Sequence, residues 1–346
     1  MDNKIKIFVT YHNYDFPVFK TDIFQPIMGG NQGKPLKEGF IGDDTGDNIS
    51  NLNKSHAELT IHYWLSKNYL STANEEYIGL CNYRRFLDFA QTKYDFSEGL
   101  EACASSSSAL EKIYSKYFLR FIFENYTEKN ILSRIKGYDI ITTKKWSFRN
   151  TNRLEFDYWH PGSVLDNALD ILKRLYPDYE PYAEEFFNDT RGYYCLCFIM
   201  KKVLLESFFE WQFKIVEELD KIDTSAGYTD DHYLRTPAFI MERFYNIWVR
   251  YQIDKNKILA LELPAYKLHF DTSPDKKIKY IKTLANNNKA IEKSDIDEMA
   301  ARHPVLNRLI KPLVKQNKYY KLLGDPKSFF HDSKSLMIRL FGVLYK

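Results

Sequence analysis

Apolar and polar positions alternate along Lys4–Thr10 (KIKIFVT), and the β-branched residues there predict a strand. A polar stretch, Tyr11–Asp15, follows, and Phe24–Asn53, dense in Gly, Pro, Asn and Asp, predicts mostly loop. Leu59, Tyr63, Trp64 and Leu65 recur at helical spacing across Ser55–Asn68, with Ser55 and Glu58 spaced as a capping box. Glu76–Leu80 predicts a short strand that stops at Cys81–Phe86 (CNYRRF), and Tyr138–Thr142 another. Residues 95–135 have a helical pattern broken by the serine run 105–108. Val164, Leu165, Ala168, Leu169, Leu172 and Leu175 share one face of a helix over Pro161–Tyr176, which Pro177 ends. Tyr193–Met200 (YYCLCFIM) predicts a buried strand, Lys201 to about Ile222 an amphipathic helix, Asp223–Asp231 a polar loop and Pro237–Tyr251 a further helix.

Strands alternating with helices predict an α/β layered fold with a mainly parallel central sheet, in which ligands bind at the carboxyl ends of the strands. Tyr11-His12, Asn82–Arg85 and the region of Thr143 all follow predicted strands. From Asp271 the composition shifts toward Lys and Asn, which divides the chain into a body, 1–270, and a basic, mainly helical extension, 271–346. That extension holds 16 basic and 8 acidic residues, so the body is acidic within a total charge of +3. Basic charge confined to a tail argues against nucleic-acid binding. Leu306, Leu309, Ile310, Leu313, Phe329 and Phe330 lie among Lys and Arg, so residues 299–346 suit peripheral contact with anionic lipid, the alternative being packing on the body. MDNKIKIFVTYH lacks an apolar segment of signal-peptide length, and no run approaches the roughly 20 apolar residues of a membrane span. With four Cys and no CxxC pair, a cytoplasmic location is expected, extending to the inner face of the plasma membrane.

Five clusters carry candidate chemistry. Gly42–Asn48 (GDDTGDN) places Asp43, Asp44 and Asn48 where they suit a ribose diol or a metal, or else an ordinary Asx turn. Tyr83, Arg84 and Arg85 follow the strand YIGLC, and paired guanidiniums suit a pyrophosphate. Asp230 and Asp231, in a loop with Gly227, suit a general base, a metal ligand or a helix cap. Glu242 beside Arg243 reads as a buried ion pair or an acceptor contact, and His160 with Trp159 as acceptor contacts or a helix cap. The chain has no GxxxxGK[ST], no GxGxxG after the first strand, no HExxH, no GxSxG, and no D-x-D after YIGLC.

KIKIFVTYH, GDDTGDNIS, ELTIHYWLSKN and YIGLCNYRRF, in this order, resemble a bacterial family first catalogued as a domain of unknown function and found in capsule, exopolysaccharide and lipopolysaccharide O-antigen gene clusters. CFIMKKVLLESFFEWQF and FIMERFYNIW match its later blocks, so the resemblance covers roughly residues 4–255. It implies a GT-A-like, nucleotide-sugar-dependent glycosyltransferase, and some relatives use the UDP donor of galactofuranose. The chain departs from the family at Asn82, where His is usual, and at Leu196-Cys197, where Asn-Met is usual. Under this resemblance Arg84 and Arg85 hold the diphosphate, and Tyr11, His12, Asp43 and Asp44 the nucleoside. Asp231, or else Asp230, is the base, and a lipid-linked oligosaccharide is the acceptor. Metal use stays open between none, Mn2+ and Mg2+. The rival expectations are a sugar-phosphate nucleotidyltransferase and a non-catalytic binding protein of polysaccharide assembly.

Overall fold

The computed structural model describes residues 4–16, 18–89, 125–227 and 231–269, with the backbone of 109–113. The extension from Asp271, the serine run and Asp230 lie outside these residues. The strands are β1 (Ile5–Tyr11), β2 (Phe24–Met28), β3 (Ile41–Gly42), β4 (Tyr77–Asn82), β5 (Arg85–Leu87), β6 (Ala109–Ile113), β7 (Ile140–Thr143), β8 (Trp146–Ser147), β9 (Arg191–Gly192), β10 (Phe198–Lys201), β11 (Ala260–Leu263) and β12 (Ala265–His269). The helices are α1 (Asn53–His56), α2 (Leu59–Trp64), α3 (Glu128–Ile135), α4 (Asn152–Trp159), α5 (Gly162–Leu175), α6 (Glu180–Asn188), α7 (Lys202–Leu219), α8 (Asp231–Leu234) and α9 (Thr236–Lys255).

The central path of the sheet runs β11-β7-β10-β4-β1-β2-β3. β10 is antiparallel to both β4 and β7, while the other neighbours on the path pair in parallel. All strands of the path except β10 therefore point the same way, and their carboxyl ends share one edge with the start of β10. β5, β12 and β6 extend the sheet past β4. Alternate residues of the central strands enter two cores. Phe8, Ile78, Leu80, Phe198 and Met200 face the larger helical layer, and Ile7, Val9, Tyr77, Cys81 and Ile199 the other side. Burial on both faces explains why these strands read as nearly continuous apolar runs. Gly79 is required in the middle of β4, because a Cβ there would meet Ile199 Cγ1 at 2.7 Å and the Phe198 carbonyl oxygen at 3.0 Å.

Three expectations are corrected. Phe24–Asn53 contains two parallel strands as well as loop, and β3 pairs only with Ile27 and Met28, so β2 has no neighbour on that side at Pro26. The helix expected over Ser55–Asn68 is two helices separated at Ala57, whose φ is +46°, and it ends in a π-helical turn over Leu65–Tyr69. No capping box forms, for Ser55 Oγ donates to the Leu52 carbonyl and Glu58 makes no side-chain cap. In YYCLCFIM only Phe198 onward is strand, because Cys195 sits at φ +58° and Asn246 holds both backbone groups of Tyr193 in a loop.

Beneath the sheet, His62 Nδ1 donates to Gln212 Oε1 at 3.0 Å, and the ring stacks on Phe209. Burial holds this imidazole down, to about 4, against an ordinary value of 6.5 and against the Gln212 bond, which raises it. Its folded value is below its unfolded one. Its contribution is therefore complete above pH 6.5 and is lost as pH falls toward 4, at about 1.4 kcal/mol per pH unit. Urea unfolding at pH 7 and pH 4.5 should show that loss, and His62→Phe should flatten the slope. An unchanged slope in the variant removes His62 as its source.

Candidate functional site

At the carboxyl edge of the sheet, the last residue of β1 and the turn after β4 build an aromatic floor. Tyr11 stacks on Tyr83 at 5.4 Å, Phe16 stacks on the same ring at 4.0 Å, and Phe40 meets Tyr11 edge-on. The Tyr11 hydroxyl accepts from the Phe19 amide, which fixes the loop after β1. His12 lies 5.4 Å from the Tyr83 ring, and the Arg84 guanidinium 5.3 Å above it. The Arg84 amide donates to Asn82 Oδ1, so Asn82 shapes the turn that presents both arginines.

Arg84 is exposed and Arg85 half-buried, and Arg85 Nε is buried with no hydrogen-bond partner among the described residues. A third guanidinium, Arg235, is the exposed N-cap residue of α9 and acts on both His12 and Glu58. Burial lowers the His12 pKa, and Arg84 and Arg235 lower it further against Asp15. Burial raises that of Glu58, Glu242 adds to the rise, and its own amide, Arg85 and Arg235 oppose it. Arg84 and Arg85 lie in the turn after β4, and Arg235 heads α9 directly after α8, which packs against α1. Among the described residues none of the three forms an ion pair with a carboxylate. Guanidiniums without a carboxylate partner at the end of a strand suit an anion, and the buried rings beneath fix the turn that presents Arg84 and Arg85.

The acidic loop serves a different purpose from the one expected. Asp43 is fully buried and accepts from the Gly30 amide at 2.9 Å, the Asn31 amide at 3.2 Å, Ser50 Oγ at 2.6 Å and Thr60 Oγ1 at 2.6 Å. Asp44 accepts from Asn31 Nδ2 and the Gly33 amide. Asn48 is bonded within its own turn, to the Gly46 carbonyl and the Ser50 amide. The expectation that Asp43 touches a ligand directly is corrected on physical grounds: its oxygens are buried and already accept four bonds, so it braces the loop instead.

On the far wall, Glu242 accepts from the Cys195 amide and from Arg243 Nη1, both at 2.6 Å. Both of its oxygens are engaged, so the ion-pair reading of Glu242 and Arg243 is the one the geometry displays. His160 ends α4 and is buried under His232, the two rings parallel within 10° at 4.7 Å. Burial, then Arg243 and His232, push the His160 imidazole down to about 3, so it stays neutral. Trp159 and Tyr158 beside it are 52% and 77% exposed and meet edge-to-face, the only large rings here that face solvent among the described residues. Asp231 begins α8, and α8 packs against α1, one turn before Glu58. Among the described residues, no three His, Cys, Asp or Glu side chains gather as a metal site.

Sequence reasoning singled out Tyr11, His12, Tyr83, Arg84 and Arg85 but not Phe16, Phe40, Arg235 or Glu58. A lone Arg at a helix head carries no motif, and Glu58 was hidden in a capping-box spacing that the fold does not use.

These features define an α/β domain with Arg84 and Arg85 at the carboxyl edge of a mostly parallel sheet. Residues 6–256 match the family described as Domain of unknown function (DUF4422), and the chain belongs to that family. No curated protein matches the chain. It is similar to the apo structure of the bifunctional glycosyltransferase WbbM, with a TM-score of 0.66 and 26% identity. The likeness covers 77% of this chain and 45% of WbbM, so the chain spans less than half the length of that protein. The fold is thus that of a glycosyltransferase-like domain, as the resemblance implies. Among the described residues no helix is long and apolar enough to cross a membrane.

Proposed function

We propose that this chain is a glycosyltransferase that moves a sugar from a nucleotide-sugar donor onto a surface-polysaccharide acceptor. The observation that carries the reading is the pair of guanidiniums, Arg84 and Arg85, that follow β4 at the carboxyl edge of the sheet and form no ion pair with a carboxylate among the described residues. A departing diphosphate supplies the missing negative charge, and charge-assisted bonds to it strengthen as the glycosidic bond breaks. The nucleoside then lies toward Tyr11 and His12. The exposed Tyr158 and Trp159 offer the acceptor's sugar rings an apolar face with polar edges. Likeness to WbbM supports sugar transfer as the class of reaction. UDP is the proposed carrier, galactofuranose the first sugar to test, and a lipid-linked oligosaccharide at the inner membrane face the proposed acceptor.

A thermal-shift screen of nucleotide sugars tests this, run with and without Mn2+ or Mg2+ and with and without anionic vesicles. A donor at 100 times its Kd should stabilise the chain by about 2.7 kcal/mol. Turnover should release a nucleoside diphosphate. Release of pyrophosphate would instead identify a nucleotidyltransferase, and no shift with any nucleotide sugar would remove the reading.

A further inference from the structure

Two thiols lie under the arginine turn and take no part in the proposed transfer. Cys81 is the last residue but one of β4, and Cys197 immediately precedes β10. The two strands are antiparallel neighbours in which Leu80 stands opposite Phe198. One step further along the same ladder sets Cys81 opposite Cys197. Both side chains enter the same core, on the face of the sheet away from the larger helical layer, and each residue is 3% exposed. Opposite residues of an antiparallel pair have Cα atoms about 4.5–5.5 Å apart, inside the roughly 4.4–6.8 Å that a disulfide spans. Both cysteines are free thiols. They line one cavity with Ile7, Phe24, Phe86 and Phe89, so the sulfurs have room to turn.

The pair also touches both ends of the turn. Cys81 precedes Asn82, whose Oδ1 accepts from the Arg84 amide and which pairs with Arg85 across the hairpin of β4 and β5. At the other end the Cys197 thiol donates to the Arg85 carbonyl at 3.9 Å. Joining the two sulfurs removes that hydrogen and draws Cys197 Sγ toward β4, so the Arg85 carbonyl loses its partner.

We infer that Cys81 and Cys197 form a modification site, a dithiol that hydrogen peroxide closes to a disulfide, and that closure weakens the hold of Arg84 and Arg85 on an anion. The second half rests on the transferase reading, and the first does not. The thiolate of one cysteine attacks a peroxide oxygen, the O–O bond breaks, and the other oxygen leaves with the electron pair and takes up a proton as water. The second thiol attacks the sulfenic acid so formed. The S–S bond forms, the S–O bond breaks, and the hydroxyl leaves with the thiol proton as a second water. Two thiols are oxidised and one peroxide is reduced. Burial pushes the Cys81 thiol well above its ordinary value, so its thiolate is scarce at neutral pH and closure quickens as pH rises.

The test uses the full chain, treated with hydrogen peroxide at pH 7 and pH 9. Remaining thiols are alkylated in urea once the peroxide is removed, and peptides are mapped by mass spectrometry. The expected product is a linked pair of peptides holding Cys81 and Cys197, lighter by one H2 than the reduced pair, formed faster at pH 9 and reversed by dithiothreitol. With UDP as the anion probe, Kd should rise about threefold to tenfold on closure, the range of one lost hydrogen bond, and return on reduction. In Cys197→Ala, peroxide should leave the affinity for UDP where it stood before treatment. A map in which both thiols stay open to alkylation, are oxidised without linking, or pair with Cys103 or Cys195 removes the site. A linked pair that leaves Kd unchanged removes its effect on the turn. The map is made on the parent, so it stands even where Cys197→Ala does not fold. A reduced parent that binds no UDP refutes the anion reading of the arginines and the second half with it, while the map still decides the first.

Discussion

Replacing Asp43 with Ala should cost this fold about 3–5 kcal/mol, more than any other exchange in the acidic loop, because a bond to a charged acceptor contributes about 1.5–3 kcal/mol and a buried donor left alone loses its solvation as well. Four donors converge on that carboxylate at 0% exposure. The Ser50 and Thr60 hydroxyls can turn to other acceptors, but the Gly30 and Asn31 amides are fixed by the backbone and cannot. Relaxation of Ala57 returns part of the loss, since a non-glycine residue in that region stores about 1–3 kcal/mol. Asp43→Asn should fall between the two, since its amide nitrogen turns a donor toward donors. Asp44→Ala, with a half-buried carboxylate and two partners, should cost about 1–2 kcal/mol. Urea midpoints at constant m measure all three. If Asp43→Ala stays within 1 kcal/mol of the parent, the four bonds to Asp43 do not hold the loop.

The same loop shows how far the sequence could be read. Three acids and two glycines within Gly42–Asn48 announced that something there needed carboxylates and tight turns. Ligand binding and backbone bracing demand the same residues, and only burial separates them. β1, β4, β7 and the helices α5, α7 and α9 were legible because period 2 and period 3.6 are imposed by faces that must be buried. The breaks were not. Ala57 carries no signal for a positive φ, since Ala is a strong helix former, and the partners that force its conformation lie on Asn53, Thr60 and Asp43. YYCLCFIM read as strand from its apolar content, yet its first half is held by Glu242 and Asn246, about 50 residues downstream, which no local window contains. Arg84 and Arg85 were singled out because a strand end in an α/β sheet is a privileged place. Arg235, at a helix head, has no such signal.

Removing Arg84 or Arg85 should separate activity from stability more sharply than any other change. Neither guanidinium is tied to a carboxylate among the described residues, so Arg84→Ala and Arg85→Ala should leave the urea midpoint nearly unmoved. Each should nevertheless lower kcat/KM for UDP release by about 10²–10³-fold, the usual effect of losing a charged contact made fully only as the leaving group departs. Arg84→Lys keeps the charge over the Tyr83 ring but not the forked donors, so a diphosphate held in two places should restore only part of the rate. Arg250 provides the contrast. It bridges Glu185 and Asp189 far along α9, so Arg250→Ala should lower stability and leave kcat/KM alone. A guanidinium without a partner in the resting protein is costly to keep beside another unless an anion visits. If Arg84→Ala and Arg85→Ala raise stability and leave turnover intact, the turn holds no diphosphate.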